Sequence, residues 1–328
     1  MAFRVALVGL GMAVTPHAKS LIDLRDRVEV AYAFSPSAER RSRFASQFKF
    51  NLCEKIETIL NDRSVDAVLV LTPPNTHLEL VERCAAAGKH VLLEKPLEIS
   101  TIKAEKMVDL MKKRDLKLGV VLQHRFRPGA EKLRQMLPQL GELVSACAAI
   151  PNWRPQSYYD QPGRGTRARD GGGVLLTQGI HTLDLFLSLV GEPAEVKSFV
   201  TTTPVHQMET EDLVAAAVRF KNGALGTVHA TTAAYPGFPE RIELIGTKGT
   251  ALLEGAGLKA SFSDGNVFEL KAEGGGTGAD PMAFPHDWHR ALLEDFLDSI
   301  QEKREPRVSG AEALKVHRFI DRLISSSG

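Results

Sequence analysis

Phe3-Arg4-Val5-Ala6-Leu7-Val8-Gly9-Leu10-Gly11 lies at the head of a chain of 328 residues. Its first six residues form a nearly unbroken apolar run of the kind found in strands buried on both faces. The two glycines end that run where helical spacing begins. The pattern then repeats. Short apolar runs recur at Val28 to Phe34, Asp66 to Leu71, His90 to Leu93 and Leu116 to Leu122, separated by amphipathic segments near 13–25, 37–47, 54–61, 76–87 and 101–114. Strand-helix alternation implies right-handed crossovers and a parallel sheet covered on both faces. Ligands of such sheets sit beyond the carboxyl ends of the strands.

After Gln123 the pattern changes. Strand-like segments follow one another near 142–150, 195–203, 212–220, 224–234, 240–246, 249–254, 257–262 and 266–271. The turn signals Lys221-Asn222-Gly223 and Gly246-Thr247-Lys248-Gly249 predict hairpins. One apolar helix is expected over 174–190, and amphipathic helices over 287–303 and 309–325. The Gly-rich stretch 273–278 reads as a surface loop. The fold class is therefore α/β: a doubly wound parallel sheet over 1–122, then an α+β domain over 123–328 with a large, mainly antiparallel open sheet. That sheet needs its free face covered, so a homodimer or homotetramer is expected.

Composition narrows the function. The chain has 43% hydrophobic and 25% charged residues, and 41 basic side chains against 40 acidic ones leave a net charge of +1. That balance predicts no nucleic-acid partner. No apolar run approaches a membrane span, and the initial run lacks a cleavage site, so no membrane partner and a cytoplasmic location are expected. The 3 cysteines form no CxxC pair, which fits a reducing compartment. His286 and His289 lack a matching ligand set in the sequence, so no metal is expected.

Gly9, Gly11, Met12 and Ala13 form a turn that would bring a pyrophosphate to a helix N-terminus. The usual third small residue is replaced by Val14. After the second strand stands Phe34-Ser35-Pro36-Ser37-Ala38-Glu39-Arg40-Arg41. It lacks the immediate carboxylate that would hold the 2′-hydroxyl of NAD. Ser35 and Arg40 could bind a 2′-phosphate, which favours NADP(H) over NAD(H). Alternatively Ser35 caps the next helix, with Pro36 at its first position and the arginines on a solvated face.

Thr72-Pro73-Pro74-Asn75-Thr76-His77 follows the third of these strands, and Leu93-Glu94-Lys95-Pro96 ends the fourth. The paired prolines make a stiff wall, and Pro96 restricts the backbone of Lys95. Together with the Gly-x-Gly turn, these motifs resemble the glucose-fructose oxidoreductase/inositol dehydrogenase (Gfo/Idh/MocA) family. So do the segments Gly171 to Asp184 and Glu305 to Gly310. The resemblance covers essentially the whole chain and is nearest to the nucleotide-sugar 3-dehydrogenase branch. It implies a Rossmann domain and NAD(P)-dependent interconversion of a secondary alcohol and a ketone on a sugar, sugar derivative or cyclitol. It matches Lys95 and His181 to the catalytic lysine and histidine, and it places Thr72, Pro73, Asn75, His77, Glu94, Lys95 and Arg125 near the cofactor.

On a continuous helix, Thr177, His181 and Asp184 would share one polar stripe. A core histidine bonded to Asp184 is the alternative. Many family members carry Asp or Asn where Thr177 stands, and Thr cannot act as a base. The hydroxyl proton must then pass to His181 or Lys95, with either order of roles open. Trp153, Arg154, Tyr159 and Arg164, with Thr177, Gln178 and Asp184, are the expected substrate contacts, because rings suit a sugar face and guanidinium groups suit its hydroxyls or a carboxylate. A surface loop or subunit contact would account for the same 152–169 segment. The rival function is a dinucleotide- or sugar-sensing protein of this fold without catalysis.

Overall fold

Six parallel strands build the first sheet: β1 (Phe3–Val8), β2 (Val28–Phe34), β3 (Leu52–Cys53), β4 (Ala67–Val70), β5 (His90–Leu93) and β6 (Leu118–Val120). Their order is β3-β2-β1-β4-β5-β6. The structure, a computed structural model, describes residues 2–271 and 285–327. The glycine-rich stretch 273–278 lies outside them. Helices α1 (Val14–Asp23), α2 (Ala38–Ala45), α3 (Ile56–Asn61), α4 (His77–Ala86) and α5 (Thr101–Lys113) make the crossovers. All of β4 is buried, as expected for a strand covered on both faces. The two-residue β3 was absent from the sequence reading because Leu52 and Cys53 are too few to form a run.

The chain divides into two compact units, and the first is not one continuous segment. It joins everything up to Val121 with His286–Leu314, while Leu122–Pro285 and the chain from Lys315 form the second. A helix over Asp287–Gln301, labelled α11 below because it follows α6–α10 in the chain, buries Trp288, Leu292, Leu293, Phe296 and Leu297 and packs against α1. Val120 N–H also donates to the Val308 carbonyl at 2.9 Å. Nothing in the sequence of His286–Leu314 distinguishes a helix for the first unit from one for the second.

In the second unit α6 (Pro128–Met136) precedes β7 (Leu143–Pro151). The short helices α7 (Gln156–Tyr159), α8 (Arg167–Asp170) and α9 (Val174–Thr177) then lead to α10 (Ile180–Val190). Seven strands follow: β8 (Pro193–Thr201), β9 (Leu213–Phe220), β10 (Leu225–Thr231), β11 (Arg241–Gly246), β12 (Gly249–Glu254), β13 (Gly257–Phe262) and β14 (Val267–Leu270). Their sheet runs β14-β13-β12-β11-β7-β10-β9-β8. Only the β7/β10 pair is parallel. Alternation along β9, and along β10 up to its last residue, leaves one face buried and the other exposed. Both predicted hairpin turns join antiparallel neighbours.

The expected single helix over 174–190 is two helices. The segment Arg167–Thr177, which α9 ends, meets α10 at a 49° bend. Gln178 and Gly179 both donate to the Val174 carbonyl, at 3.2 and 2.7 Å, so the first helix closes on itself. The C-terminal helix α12 (Gly310–Ser325) carries His317, which is 2% exposed and which burial pushes down to about 4.

A neutral buried histidine binds its proton more readily in the unfolded chain, so stability is lost as pH falls from about 6.5. For His317 the loss approaches about 3 kcal/mol by pH 4. His317→Phe should flatten the acid limb of a denaturant-unfolding profile by that order. A limb of unchanged slope would contradict the assignment.

Candidate functional site

The ends of β1, β2, β4 and β5 present the expected cofactor residues along the carboxyl edge of the first sheet. β1 pairs with β2 on one side and β4 on the other, so the chain winds outward in both directions from this point. Gly9 has φ +106°, and a Cβ there would lie 2.7 Å from the Leu71 carbonyl oxygen. Only glycine permits this turn. A Cβ at Gly11 would meet nothing within 4 Å. Ala13 begins α1 without a side-chain cap, Met12 is 66% exposed and Val14 is buried. Open space beside backbone donors at a helix N-terminus fits a dinucleotide pyrophosphate.

Other expected cofactor residues divide by exposure. Pro73 and Asn75 are exposed and Thr72 is half-buried, its hydroxyl 2.8 Å from that of Thr76. His77 is fully buried. One ring nitrogen lies 2.8 Å from the Thr72 carbonyl, and the other lies 3.0 and 3.1 Å from those of Pro96 and Leu97. It ties the β4 loop to the segment after Lys95 and faces backbone rather than open space. At the end of β2, the cap of α2 is Ser37, not Ser35. The Ser37 hydroxyl accepts from Arg40 N–H at 3.3 Å, while buried Ser35 accepts from Ser37 N–H. Pro36 therefore stands before the helix. Arg40 is exposed, and Arg41 bonds the Ser35 carbonyl and Glu54.

Beside Lys95 lies a polar cluster that the sequence concealed. His17 Nε2–H donates to Glu94 Oε1 at 2.8 Å, and Glu94 Oε2 accepts the Lys95 N–H at 3.1 Å. His289 packs edge-on to His17 with centroids 5.1 Å apart. Burial alone would raise the Glu94 carboxyl, but His17, His289 and Lys95 together hold it below its ordinary value. Burial and the neighbouring His17 push His289 down to about 3, leaving a neutral ring. Ligand atoms of His17, Glu94 and His289 lie within 4.8 Å of one another. Two ligands of one tetrahedral ion stand roughly 3.3 Å apart. The 2.8 Å His17–Glu94 separation is instead that of a hydrogen bond.

In the second unit, Arg125 and Asp184 are brought to each other. Arg125 Nε–H and Nη2–H donate to the two Asp184 oxygens at 2.7 and 2.6 Å, a bidentate pair buried to 4% and 1% exposure. His181, half-buried in the first turn of α10, stacks on His124 with centroids 4.8 Å apart. His124 is in turn held by Arg127 at 2.6 Å. Arg127 pairs with Glu240. The expected stripe is divided by the helix break. Thr177 ends α9, and its hydroxyl donates to the Gly173 carbonyl at 2.6 Å and touches the Gln178 side chain.

The 152–169 segment is ordered by rings and guanidinium groups. Tyr158 meets Tyr159 edge-on, and the Arg164 and Arg154 guanidinium carbons lie 4.7 and 5.8 Å from the Tyr158 ring centre. Trp153 packs edge-on to Tyr235 at 5.4 Å. Residues 204–211, which fall between the strands predicted at 195–203 and 212–220, hold this segment and the start of α9 in place. Gln207 exchanges two hydrogen bonds with Gln156. Glu209 accepts from Arg167 N–H, and Glu211 accepts from Gly173 and Leu175 N–H. Spacing does not reveal these contacts, because most of them end on backbone atoms.

Residues 3–122 match the family described as oxidoreductase family, NAD-binding Rossmann fold, and 131–252 match the GFO/IDH/MocA C-terminal domain. The chain is 30% identical to the myo-inositol 2-dehydrogenase of Thermotoga maritima, over 94% of this chain and 91% of that one. It is 26% identical to the UDP-N-acetylglucosamine 3-dehydrogenase of Acidithiobacillus ferrooxidans, over 70% and 66%. Among solved structures, the WlbA dehydrogenase of Bordetella pertussis, in complex with NADH and UDP-GlcNAcA, superposes with a TM-score of 0.84. That pair is 25% identical and covers 100% of this chain and 97% of the other.

Removing one partner of a buried ion pair strands the other charge. Asp184→Ala should cost about 3–5 kcal/mol in denaturant unfolding. A loss below about 1 kcal/mol, the level of an exposed pair, would show that Arg125 is held elsewhere.

Proposed function

Because the chain belongs to the GFO/IDH/MocA oxidoreductase family, we propose that it interconverts a secondary alcohol and a ketone on a sugar, sugar derivative or cyclitol. That it is an NAD(P)-dependent dehydrogenase follows from its family and its dehydrogenase relatives. The observation carrying the chemistry is Lys95, which follows β5 with its N–H bonded to Glu94, on the sheet edge where the space beside Gly11, at the uncapped start of α1, leaves room for a dinucleotide.

The bound nicotinamide supplies a hydride acceptor or donor. The residues must manage the proton. Oxidation removes a hydride from the carbinol carbon and a proton from its oxygen, and the proton needs a base of the chain. We assign that exchange to His181, which the stack on His124 orients, and assign polarisation of the oxygen to the Lys95 ammonium. The reverse assignment uses neutral Lys95 as base. Thr177 leaves the base to one of these two residues, since its hydroxyl is engaged by the Gly173 carbonyl and cannot serve as one. Trp153, Arg154, Tyr159 and Arg164 would receive the sugar, with half-buried Gln178 as a further contact.

NADP(H) is proposed over NAD(H), because no carboxylate follows β2 directly and Arg40 is exposed in the first turn of α2. The solved relative from Bordetella pertussis holds NADH, so this preference rests on the chain's own residues. The exposed sheet face, with Phe199 78% and Leu225 52% exposed, is proposed as the surface of a homodimer or homotetramer.

Turnover of myo-inositol and UDP-N-acetylglucosamine with NADP⁺ and NAD⁺ tests this reading. Lys95→Ala and His181→Ala should each lower kcat by about 10²–10⁴-fold, while dinucleotide affinity, measured by fluorescence titration, changes only a few-fold. Dinucleotide binding without turnover, unaltered by Lys95→Ala, would instead support the sensing protein. Equal affinity for the two dinucleotides would remove the role given to Arg40.

A further inference from the structure

Between β8 and β9 the chain crosses the second unit through Thr203 to Asp212. We propose that His206 in this crossing is a positioning residue: an imidazolium bonded to Asp212, it fixes the Trp153–Tyr159 segment that receives the sugar. The sugar role rests on the function proposed above; the positioning does not.

Both nitrogens of His206 face oxygens. Nδ1 lies 2.7 Å from Asp212 Oδ2, and Nε2 lies 2.8 Å from the Arg154 carbonyl. A carbonyl only accepts, so Nε2 carries a proton. A carboxylate also only accepts, so a neutral ring would leave two lone pairs facing each other at Nδ1. The proton between them belongs to the ring, because Asp212 is already supplied with donors. Its two oxygens accept the Thr203 N–H at 2.7 Å and the Thr203 hydroxyl at 2.6 Å. Both side chains are buried, at 5% and 0% exposure for the residues.

The cation is set among rings. Tyr159 lies 4.9 Å away, inclined by 64°, and Trp153 lies 6.1 Å away. The Tyr159 hydroxyl donates to Thr232 Oγ1 at 2.9 Å, and Thr232 N–H donates to the Asp212 carbonyl. His206 therefore contacts the segment at three points: the backbone of residue 154 and the rings on either side of it. The side chains of Trp153 and Arg154 depart from the backbone that this bond holds. A neutral residue can replace one hydrogen bond but cannot supply two opposed donors and a charge for Asp212.

The test uses the full chain at pH 7. In ¹⁵N-histidine NMR, the signal lost in His206→Gln should be that of a ring protonated at both nitrogens. Acrylamide quenching of Trp153, read in a Trp288→Phe background, should rise at least twofold in His206→Gln and in His206→Ala. With myo-inositol or UDP-N-acetylglucosamine as probe, both variants should raise KM about tenfold while kcat stays within twofold and dinucleotide affinity is unchanged, Gln less affected than Ala. A single neutral tautomer overturns the proposal. So does quenching that neither variant alters, or a fall in kcat with KM unchanged. If the parent turns over neither probe, the proposed function fails on that point alone, and the NMR and quenching results still decide the role of His206.

Discussion

The first unit depends on the close approach of two strand ends. At Gly9 the chain leaves β1 with a positive φ and passes so near the Leu71 carbonyl that no side chain fits between them. Two consequences follow from that contact. The β4 loop is drawn against the end of β1, and α1 begins at Ala13 without a capping side chain, next to the open space at Gly11. A serine or aspartate cap would satisfy the first donors of the helix internally and stabilise it by about 1 kcal/mol. Their availability to an anion is the functional counterpart of that omitted cap.

Buried charge sets the rest of both sites. Asp184 and Asp212 sit out of water and Glu94 is half-buried, and each is met by a cationic or hydrogen-bonding partner from elsewhere in the chain. Such pairs add little net stability over a well-packed apolar replacement, because desolvation offsets most of their attraction. Their effect is on geometry. An ion pair with two short hydrogen bonds tolerates few alternatives, so Arg125 fixes the angle of the α10 face that carries Asp184, and His181 lies on the same helix one turn earlier. A hydrocarbon pair at that position could slide without comparable loss.

The sequence made the layers legible because their signal is periodic. Continuous apolar runs belong to strands covered twice, and alternation belongs to strands covered once, so both sheets could be anticipated within a residue or two of most boundaries. Features without a period were not anticipated. Ser35 and Ser37 are equivalent by residue type, and the choice of cap depends on which hydroxyl meets the Arg40 N–H. The break between Thr177 and Ile180 follows from two donors sharing one carbonyl, although the apolar pattern runs through it unchanged. His17, Glu94 and His289 are separated by 77 and 195 residues, and no local rule links them. The contacts of Gln207, Glu209 and Glu211 were invisible for a further reason: they include backbone atoms, which carry no sequence signature.

This contrast also explains why two histidines that look alike in sequence differ in chemistry. His77 and His206 both place acceptors at the two ring nitrogens. Those around His77 are all carbonyls, and burial lowers its affinity for a proton by more than the bonds to those carbonyls, and then nearby Glu94, raise it. At His206 one acceptor is a carboxylate in direct contact, which compensates a ring charge that the carbonyls around His77 cannot. Both rings are buried, so the difference between them lies in the neighbouring atoms. For His77 this leaves a structural tie between the β4 loop and the segment after Lys95, and for His206 a fixed cation beneath the aromatic segment.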